Sequence, residues 1–277
     1  MSGQPSPLDQ VAAWGTPFAA AAVVRAGATV ATAGDTAHSV RLASITKLLT
    51  AWAVLVAVEE GAVALDDPVG QPGCTLGLLL CHAGGYDFDT PRALVAPATR
   101  RIYSSTGYEL AAGHVESATG FAFADYLSEA VLQPLGMASS ELRGSPAADA
   151  WSSVDDLVRF ATEVRTPTLL DMTTAAQFRT VQVPDLAGVL PGWGRFDPLP
   201  WGFGPELRGA KSPSWMGSSA PAGCFGHFGG AGTLLWIDPP SSSGSDLAAV
   251  ALTDHEFGDW AVDAWPGWSD QVRAAYS

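Results

Sequence analysis

Ser44 and Lys47 stand three residues apart at the start of an apolar run, in the segment LASITKLL at residues 42–49. Residues at this spacing lie on the same face of a helix. Burial in apolar surroundings lowers the pKa of a lysine, because it disfavours the charged form. A neutral amine can take the proton of a serine hydroxyl, which is a weak nucleophile without such help. The two residues are therefore a candidate nucleophile and base.

The surroundings of this pair predict a helix. Apolar side chains recur at helical spacing after Ser44, and Gly61 is placed to end the helix. We expect Ser44 at the helix start, where free N–H groups and the helix dipole favour developing negative charge. A structural interpretation is also open, in which Ser44 caps the helix and Lys47 is a solvated first-turn residue. A lysine in the first turn opposes the dipole, which counts against that interpretation.

Two further segments carry groups suited to the same chemistry. Tyr103 precedes a predicted helix in RIYSSTGY, residues 101–108, and a phenol near an ammonium can relay protons. His227 lies in FGHFGGAGT, residues 225–233, where glycines permit close approach of a ligand and the N–H of Gly230 is placed to help hold an oxyanion. Structural alternatives stay open for both: a buried tyrosine with one backbone partner, and a tight bend with a structural histidine.

The composition argues against several function classes. The 277 residues carry 14 Lys and Arg against 28 Asp and Glu, a net charge of −14, which argues against nucleic acid and anionic membranes as partners. We recognise no signal peptide and no membrane-spanning run, so we expect a cytoplasmic protein. The three cysteines lack zinc-ligand spacing, so we expect buried free thiols, no metal and no other cofactor.

The predicted elements place strands at both chain ends. A hairpin is predicted over residues 19–31, and two strands are predicted over residues 232–238 and 247–253, with a Ser/Gly loop at 241–245 between them. A last helix over residues 259–276 is predicted to break at Pro266-Gly267.

The middle of the chain is predicted to be helical. Helices are predicted over residues 75–81, 106–119, 121–133 and 169–178, and a Ser-x-x-Asp capping box at 152–155 opens another through about residue 164. We therefore expect an α+β fold with a discontinuous sheet domain, residues 1–60 and 200–277, and a mainly helical lobe, residues 61–199. The active site is expected in the cleft between them.

The three motifs together resemble a known family. Ser44-x-x-Lys47, Tyr103-Ser104-Ser105 and His227-Phe228-Gly229 stand in the order and approximate spacing of the motifs of class C β-lactamase-like serine hydrolases. That family includes D-alanyl-D-alanine carboxypeptidases and family VIII-type esterases. Further segments that resemble it are LLCHAGG at 79–85, PLGM at 134–137, residues 152–160 and WGFG at 201–204. The resemblance covers residues 19–253 and implies a β-lactamase/transpeptidase-like fold, with an antiparallel sheet flanked by helices and an inserted helical lobe.

The resemblance also implies roles for individual residues. Ser44 would be the acylated nucleophile and Lys47 its base. Tyr103 would assist proton transfer to the leaving group and activate the deacylating water. His227 stands where the family's third motif has a lysine. The N–H groups of Ser44 and Gly230 would form the oxyanion hole.

One departure from the family pattern bears on the substrate. The tyrosine motif usually ends in an asparagine that contacts the substrate amide, and here that position is Ser105. We therefore favour small carboxylic esters over peptides or β-lactams as substrates. Ser105, together with Gly229 of the third motif, is counted with the substrate-binding positions. The chain is also shorter than typical members, which predicts a more open cleft.

Three functions remain open at this point. The first is a serine hydrolase that forms an acyl-enzyme with small esters or amides. The second is a D-alanyl-D-alanine carboxypeptidase or β-lactamase, and the third is a non-catalytic binding protein on the same fold. In each case the partner is a small molecule, an ester, an amide or a β-lactam. The sequence decides neither the oligomeric state nor whether Trp193 and Trp201 line the pocket.

Overall fold

A computed structural model describes residues 6–239 and 246–277 of the chain. Seven α-helices follow the chain order in this described part: α1 Thr46–Glu59, α2 Leu76–Leu80, α3 Ser105–Thr119, α4 Phe123–Leu127, α5 Val154–Arg165, α6 Met172–Phe178 and α7 Asp259–Tyr276. The strands of the main sheet are β1 Ala19–Arg25, β2 Ala28–Ala33, β9 Glu206–Leu207, β10 Phe225–Gly229, β11 Thr233–Ile237 and β12 Leu247–Thr253. One small sheet has the strand order β3-β6-β5, with β3 Val40–Arg41, β5 Glu141–Leu142 and β6 Ala150–Ser152. The other has the order β4-β7-β8, with β4 Arg101–Ile102, β7 Gly188–Leu190 and β8 Gly194–Phe196.

The main sheet joins the two ends of the chain. Its strand order is β2-β1-β12-β11-β10-β9, and every neighbouring pair with a defined register is antiparallel. The β1–β12 pair runs from Ala19↔Thr253 to Arg25↔Leu247. This confirms the predicted α+β fold with a sheet built from both ends. The division into two domains stays a prediction.

The central strands β1, β11 and β12 are apolar at consecutive positions because both of their faces are covered. Every residue of β12 is buried, and α5 and α7 both pack on β1 and β12. A strand covered on both sides has no need for alternating polar residues. The resulting core fixes the positions of β10 and of the chain that leads into α1, which carry two of the three motifs.

The predicted helices are present, with two local differences. The segment predicted as one helix over 121–133 is α4 followed by a π-helical turn at Ser128–Leu132. The cap of α5 is Ser153, whose hydroxyl accepts from the Asp156 N–H at 3.2 Å, one residue later than predicted. The predicted Ser/Gly loop at 241–245 lies outside the described residues.

The predicted break at Pro266 is wrong, since α7 continues through it. Trp265 and Trp268 are fully buried on either side of the proline. The burial of large aromatic side chains outweighs the hydrogen bond that a proline removes from a helix. Near the C-terminal end of α7, the Arg273 guanidinium donates to both oxygens of the buried Asp238 carboxylate at 2.9 Å. The last helix is therefore anchored to the end of β11.

Within the described ranges, no helix combines the length and the apolar character that a membrane crossing requires. The three cysteines, Cys74, Cys81 and Cys224, are buried free thiols, as predicted.

Candidate active site

Ser44 lies in a single 3-10 turn, Ala43–Ile45, that leads directly into α1. The preceding residue, Ala43, has a φ of 48°, in the left-handed region that disfavours residues with a Cβ. Strands β10 and β11 hold this turn from behind. Thr233 donates its hydroxyl to the Leu42 carbonyl at 2.7 Å, and a Cβ on Gly229 would collide with that same carbonyl. Ser44 makes no side-chain cap on α1, so its hydroxyl is available in the cleft.

Lys47 lies one turn further along, fully buried behind Ser44. Burial lowers the pKa of Lys47 to about 7, and the charge of Glu109 only partly opposes that shift. The amine lies 4.8 Å from the centre of the Tyr103 ring and 5.6 Å from that of Tyr108. A lysine with this pKa exists partly as the free base at neutral pH, which is the form that can accept a proton.

Three oxygens surround the Lys47 amine, at distances of 2.9 Å for the Ala147 carbonyl, 3.2 Å for the Ser105 hydroxyl and 3.3 Å for the Ser44 hydroxyl. A neutral amine has two N–H groups and one lone pair. The carbonyl can only accept, and Ser105 can accept the second N–H. The lone pair then points at Ser44. The same three oxygens can accept all three N–H groups of the ammonium, so the arrangement accommodates both protonation states.

Tyr103 and His227 form the opposite side of the site, with the Tyr103 hydroxyl 3.4 Å from Nε2 of His227. Nδ1 of His227 lies 2.6 Å from the Phe228 carbonyl, which can only accept, so Nδ1 carries the proton and Nε2 is an acceptor. Burial, with the charge of Lys47, lowers the pKa of His227 to about 3. Burial also raises the pKa of Tyr103, and a nearby Ser44 hydroxyl only partly opposes the rise. Both groups are uncharged at neutral pH.

His82 fixes the position of Tyr103. Its carbonyl accepts from the Ile102 N–H at 3.0 Å, and its Nδ1 accepts from the Ser104 N–H at 3.1 Å, so hydrogen bonds flank the tyrosine on both sides. The His82 ring also lies 4.5 Å from the Tyr103 ring. Burial lowers the pKa of His82 well below its usual value, which keeps Nδ1 free to accept. The sequence segment at 79–85 marked this residue only by its resemblance to the family.

A cavity of about 240 Å³ opens in front of Ser44. Its wall combines Ser44, Tyr103, His227 and Gly230 with mostly apolar residues, namely Phe88, Leu190, Pro191, Gly192, Phe228 and Phe257. A Cβ on Gly230 would meet no atom within 4 Å, so its backbone faces open space. No Lys, Arg, Asp or Glu belongs to this wall as formed by the described residues.

The structure brings most of the predicted site residues together. Ser44, Tyr103, His227 and Gly230 line the cavity, while Lys47 and Ser105 lie behind Ser44. Gly229 does not line the cavity, because its missing side chain makes room for the Leu42 backbone rather than for a ligand. Trp193 and Trp201 are both buried and do not line the cavity either; Trp201 packs behind it, 5.7 Å from the His227 ring.

Other parts of the site could not be predicted from the sequence. The Ala147 carbonyl is a backbone group, and no residue type marks it. Leu190 and Phe257 come from segments without a motif, and only the folded chain brings them to Ser44. No group of three or more His, Cys, Asp or Glu side chains that could hold a metal ion occurs among residues 6–239 and 246–277.

The sheet built from both chain ends and the helices around it define the β-lactamase/transpeptidase-like fold. The chain belongs to the β-lactamase family, whose profile matches residues 9–269. A solved β-lactamase from Mycobacterium bovis is 45% identical, with a TM-score of 0.94 over 98% of this chain and 99% of that one. No match was found among curated protein sequences.

More distant solved structures share the fold alone. A simvastatin synthase mutant from Aspergillus terreus is 17% identical, with a TM-score of 0.77 over 97% of this chain and 93% of that one. A β-lactamase/D-alanine carboxypeptidase from Yersinia pestis is 18% identical, with a TM-score of 0.74 over 96% and 97% of the two chains.

Proposed function

We propose that this protein is a serine hydrolase that forms an acyl-enzyme through Ser44 and acts on small, apolar carboxylic esters or amides. The observation that carries the proposal is the placement of the Ser44 hydroxyl 3.3 Å from a buried amine with a pKa lowered to about 7. A serine next to such an amine has a base within hydrogen-bond reach.

In the proposed reaction, neutral Lys47 takes the Ser44 proton while the serine oxygen attacks the substrate carbonyl carbon. The N–H groups of Ser44 and Gly230 hold the oxyanion that forms. When the tetrahedral intermediate collapses, the Tyr103 hydroxyl gives its proton to the leaving oxygen, and the Lys47 ammonium replaces that proton. In the second half of the reaction, Lys47 takes a proton from a water molecule that attacks the acyl carbon. The Ser44 oxygen then leaves, regains its proton through Tyr103, and the acid is released. Tyr103 acts as a proton donor because burial keeps it neutral.

The apolar wall of the cavity supports an uncharged acyl group. Phe88, Phe228, Phe257 and Leu190 surround the space in front of Ser44, and the cavity of about 240 Å³ suits a short chain. His227 is neutral and Lys47 is buried behind the serine, so neither offers a solvent-facing positive charge for a carboxylate beside the reacting carbon.

The direct test is the hydrolysis of 4-nitrophenyl acetate and butyrate by the wild type and by Ser44→Ala. We expect the variant to lose turnover by on the order of 10⁴-fold or more, since removal of a nucleophile leaves only binding and the oxyanion hole. Mass spectrometry of the wild type quenched during turnover should show a butyryl adduct on Ser44. Turnover by Ser44→Ala at the wild-type rate would exclude this serine as the nucleophile.

A β-lactamase or D-alanyl-D-alanine carboxypeptidase is the second candidate, and the names of the M. bovis and Y. pestis proteins favour it. Ser105 at the family's asparagine position counts against it. Incubation with a fluorescent penicillin distinguishes the two, because a stable penicilloyl adduct on Ser44 together with slow ester turnover would support the second candidate. Failure to react with fluorophosphonate, ester and penicillin probes alike would instead support a non-catalytic binding protein.

A further inference from the structure

A second recess adjoins the cavity in front of Ser44. It has a volume of about 430 Å³ and shares Phe88, Tyr103 and Pro191 with that cavity. The shared wall includes the group that protonates the leaving oxygen in the proposed reaction. An ester whose acyl chain occupies the cavity therefore has its alcohol portion on the Tyr103 side, in this recess.

The small sheet of β4, β7 and β8 forms the floor of the recess. Ile102 pairs with Val189, and Val189 pairs with Arg195, so the three residues form one row across the strands. Arg100 lies in a bend directly before β4 and lines the same recess. Arg101 points to the other face, where its buried guanidinium donates to backbone carbonyls. The recess thus has an apolar centre, Ile102 and Val189, and two arginines, Arg195 on β8 and Arg100 just before β4, in its wall.

The charges of these two arginines are available to a ligand. Both are exposed and line the recess, and neither forms an ion pair with any residue that the structure describes. Asp185 and Asp197 line an adjoining groove together with Arg195, but neither forms an ion pair with it. Arg100 and Arg195 line this one recess, so their two long side chains can reach a single anionic group there.

We propose that this recess is a leaving-group subsite for an alcohol with an apolar body and an anionic group, a carboxylate or a phosphate, held between Arg100 and Arg195. The inference rests on the proposed function, because it assigns the alcohol side of the ester that Ser44 cleaves. Guanidinium groups bind either anion through paired N–H donors. The exposed Val189 and Phe88 supply the apolar contact.

A pair of chromogenic esters tests the subsite: 4-nitrophenyl butyrate, which is neutral, and 3-carboxy-4-nitrophenyl butyrate, which carries a carboxylate on the leaving group. Both give the same butyryl-enzyme, so deacylation is identical and kcat/KM reports the leaving-group step. Each rate is divided by that of alkaline hydrolysis to remove the intrinsic difference in reactivity. We expect the wild type to prefer the anionic ester.

Arg100→Gln and Arg195→Gln should each lower this preference about threefold, and the double variant about tenfold, as expected for exposed charge pairs. The loss in kcat/KM should be larger for the anionic ester than for the neutral one, and added salt should lower the wild-type preference. Arg25→Gln, an exposed arginine at the end of β1, is the matched control and should change neither rate.

An unchanged preference in the double variant would overturn the subsite while leaving the hydrolase intact. Hydrolysis of neither ester by the wild type would overturn the proposed function instead. In that case the recess is tested by NMR titration of Ser44→Ala with 5-hydroxy-2-nitrobenzoate against 4-nitrophenol. Tighter binding of the carboxylate that disappears in the double arginine variant would support the anion subsite, and equal binding of both phenols would overturn it.

Discussion

Lys47 lies on one side of the Ser44 hydroxyl, and Tyr103 and His227 lie on the other. Burial has opposite consequences for the chemistry of these two sides. On one side, burial brings the pKa of Lys47 to about 7, so that its proton exchanges at neutral pH. On the other side, burial moves the pKa of His227 down to about 3 and that of Tyr103 upward, so both stay neutral. The pKa of lysine starts far above neutrality and is lowered into range, that of histidine starts near neutrality and is lowered out of range, and that of tyrosine starts above neutrality and moves further away.

This contrast assigns the variable proton to Lys47 and leaves Tyr103 and His227 as fixed neutral partners. The difference also lies in their hydrogen bonds. Three oxygens surround Lys47 and can serve both of its protonation states. His227 has one acceptor for its Nδ1 proton and one donor, Tyr103, for its Nε2. Four substitutions test this contrast, with effects expected to decrease from Lys47 through Tyr103 and His227 to Ser105.

Replacing Lys47 with methionine should lower kcat/KM for 4-nitrophenyl butyrate by on the order of 10³-fold, because the serine loses its base. In the wild type, Lys47 is the free base only when the pH is above its pKa. Activity should therefore rise as the pH increases through about 7. A rate independent of pH between 5 and 9 would contradict the role of Lys47.

The same substitution has a counterpart in folding. The pKa of Lys47 is lower in the folded state than in the unfolded chain, so the unfolded chain binds more protons between pH 7 and 10.5. The free energy of unfolding of the wild type should therefore increase with pH across that window, relative to Lys47→Met, by up to about 1.4 kcal/mol per pH unit. Urea unfolding of both proteins at pH 7, 8.5 and 10 measures this difference.

Tyr103→Phe should lower kcat by about 10²-fold and leave KM nearly unchanged, because the hydroxyl acts on the leaving group rather than in binding. The loss should be greater for a poor alkoxide leaving group than for 4-nitrophenolate, which needs little protonation. Equal losses for ethyl butyrate and 4-nitrophenyl butyrate would exclude Tyr103 as the proton donor. Phe123→Leu, in the core away from the cavity, controls for general destabilisation.

His227→Gln should lower kcat/KM only about tenfold, since a glutamine oxygen can replace Nε2 as the acceptor for the Tyr103 hydroxyl. The pH midpoint near 7 should stay in place, because the histidine is already neutral there. A midpoint that moves by a full pH unit would show that the histidine, rather than Lys47, governs the titration.

Ser105→Ala should produce the smallest change, a loss of about threefold at pH 9 together with a lower pH midpoint. The hydroxyl stabilises the ammonium by accepting one of its N–H groups, so its removal lowers the pKa of Lys47 and weakens the base. Ser105→Thr keeps the hydroxyl and should keep the wild-type midpoint. A midpoint that rises in the alanine variant would contradict this assignment.

The sequence predicted the Ser44–Lys47 pair because the two side chains stand at a short, regular spacing, whereas the roles of Tyr103 and His227 came from the resemblance to a family. The two residues stand three positions apart, and α1 begins at Thr46, two residues after the predicted start at Ser44. The sheet from both ends followed from two apolar segments at each end of the chain. The cytoplasmic location and the division into two domains stay predictions.

The parts that escaped prediction depend on backbone or on distant contacts. The Ala147 carbonyl carries no residue signature, and the cavity wall at Leu190 and Phe257 forms only in the folded chain. Gly229 is an example. The sequence predicted that a ligand approaches this glycine closely, but the group that does so is the Leu42 backbone. At Pro266 a local rule for helices was overridden by two tryptophans buried in the core.

The position of β12 has a consequence for synthesis on the ribosome. This strand alone links β1 to β11, and β11 in turn carries β10 with His227. The first 230 residues thus contain every proposed catalytic group, but the hairpin of β10 and β11 cannot join β1 until residue 253 is available. Such distant pairing makes folding slow. We therefore expect the newly made chain to gain a functional serine only after residue 253 has been translated.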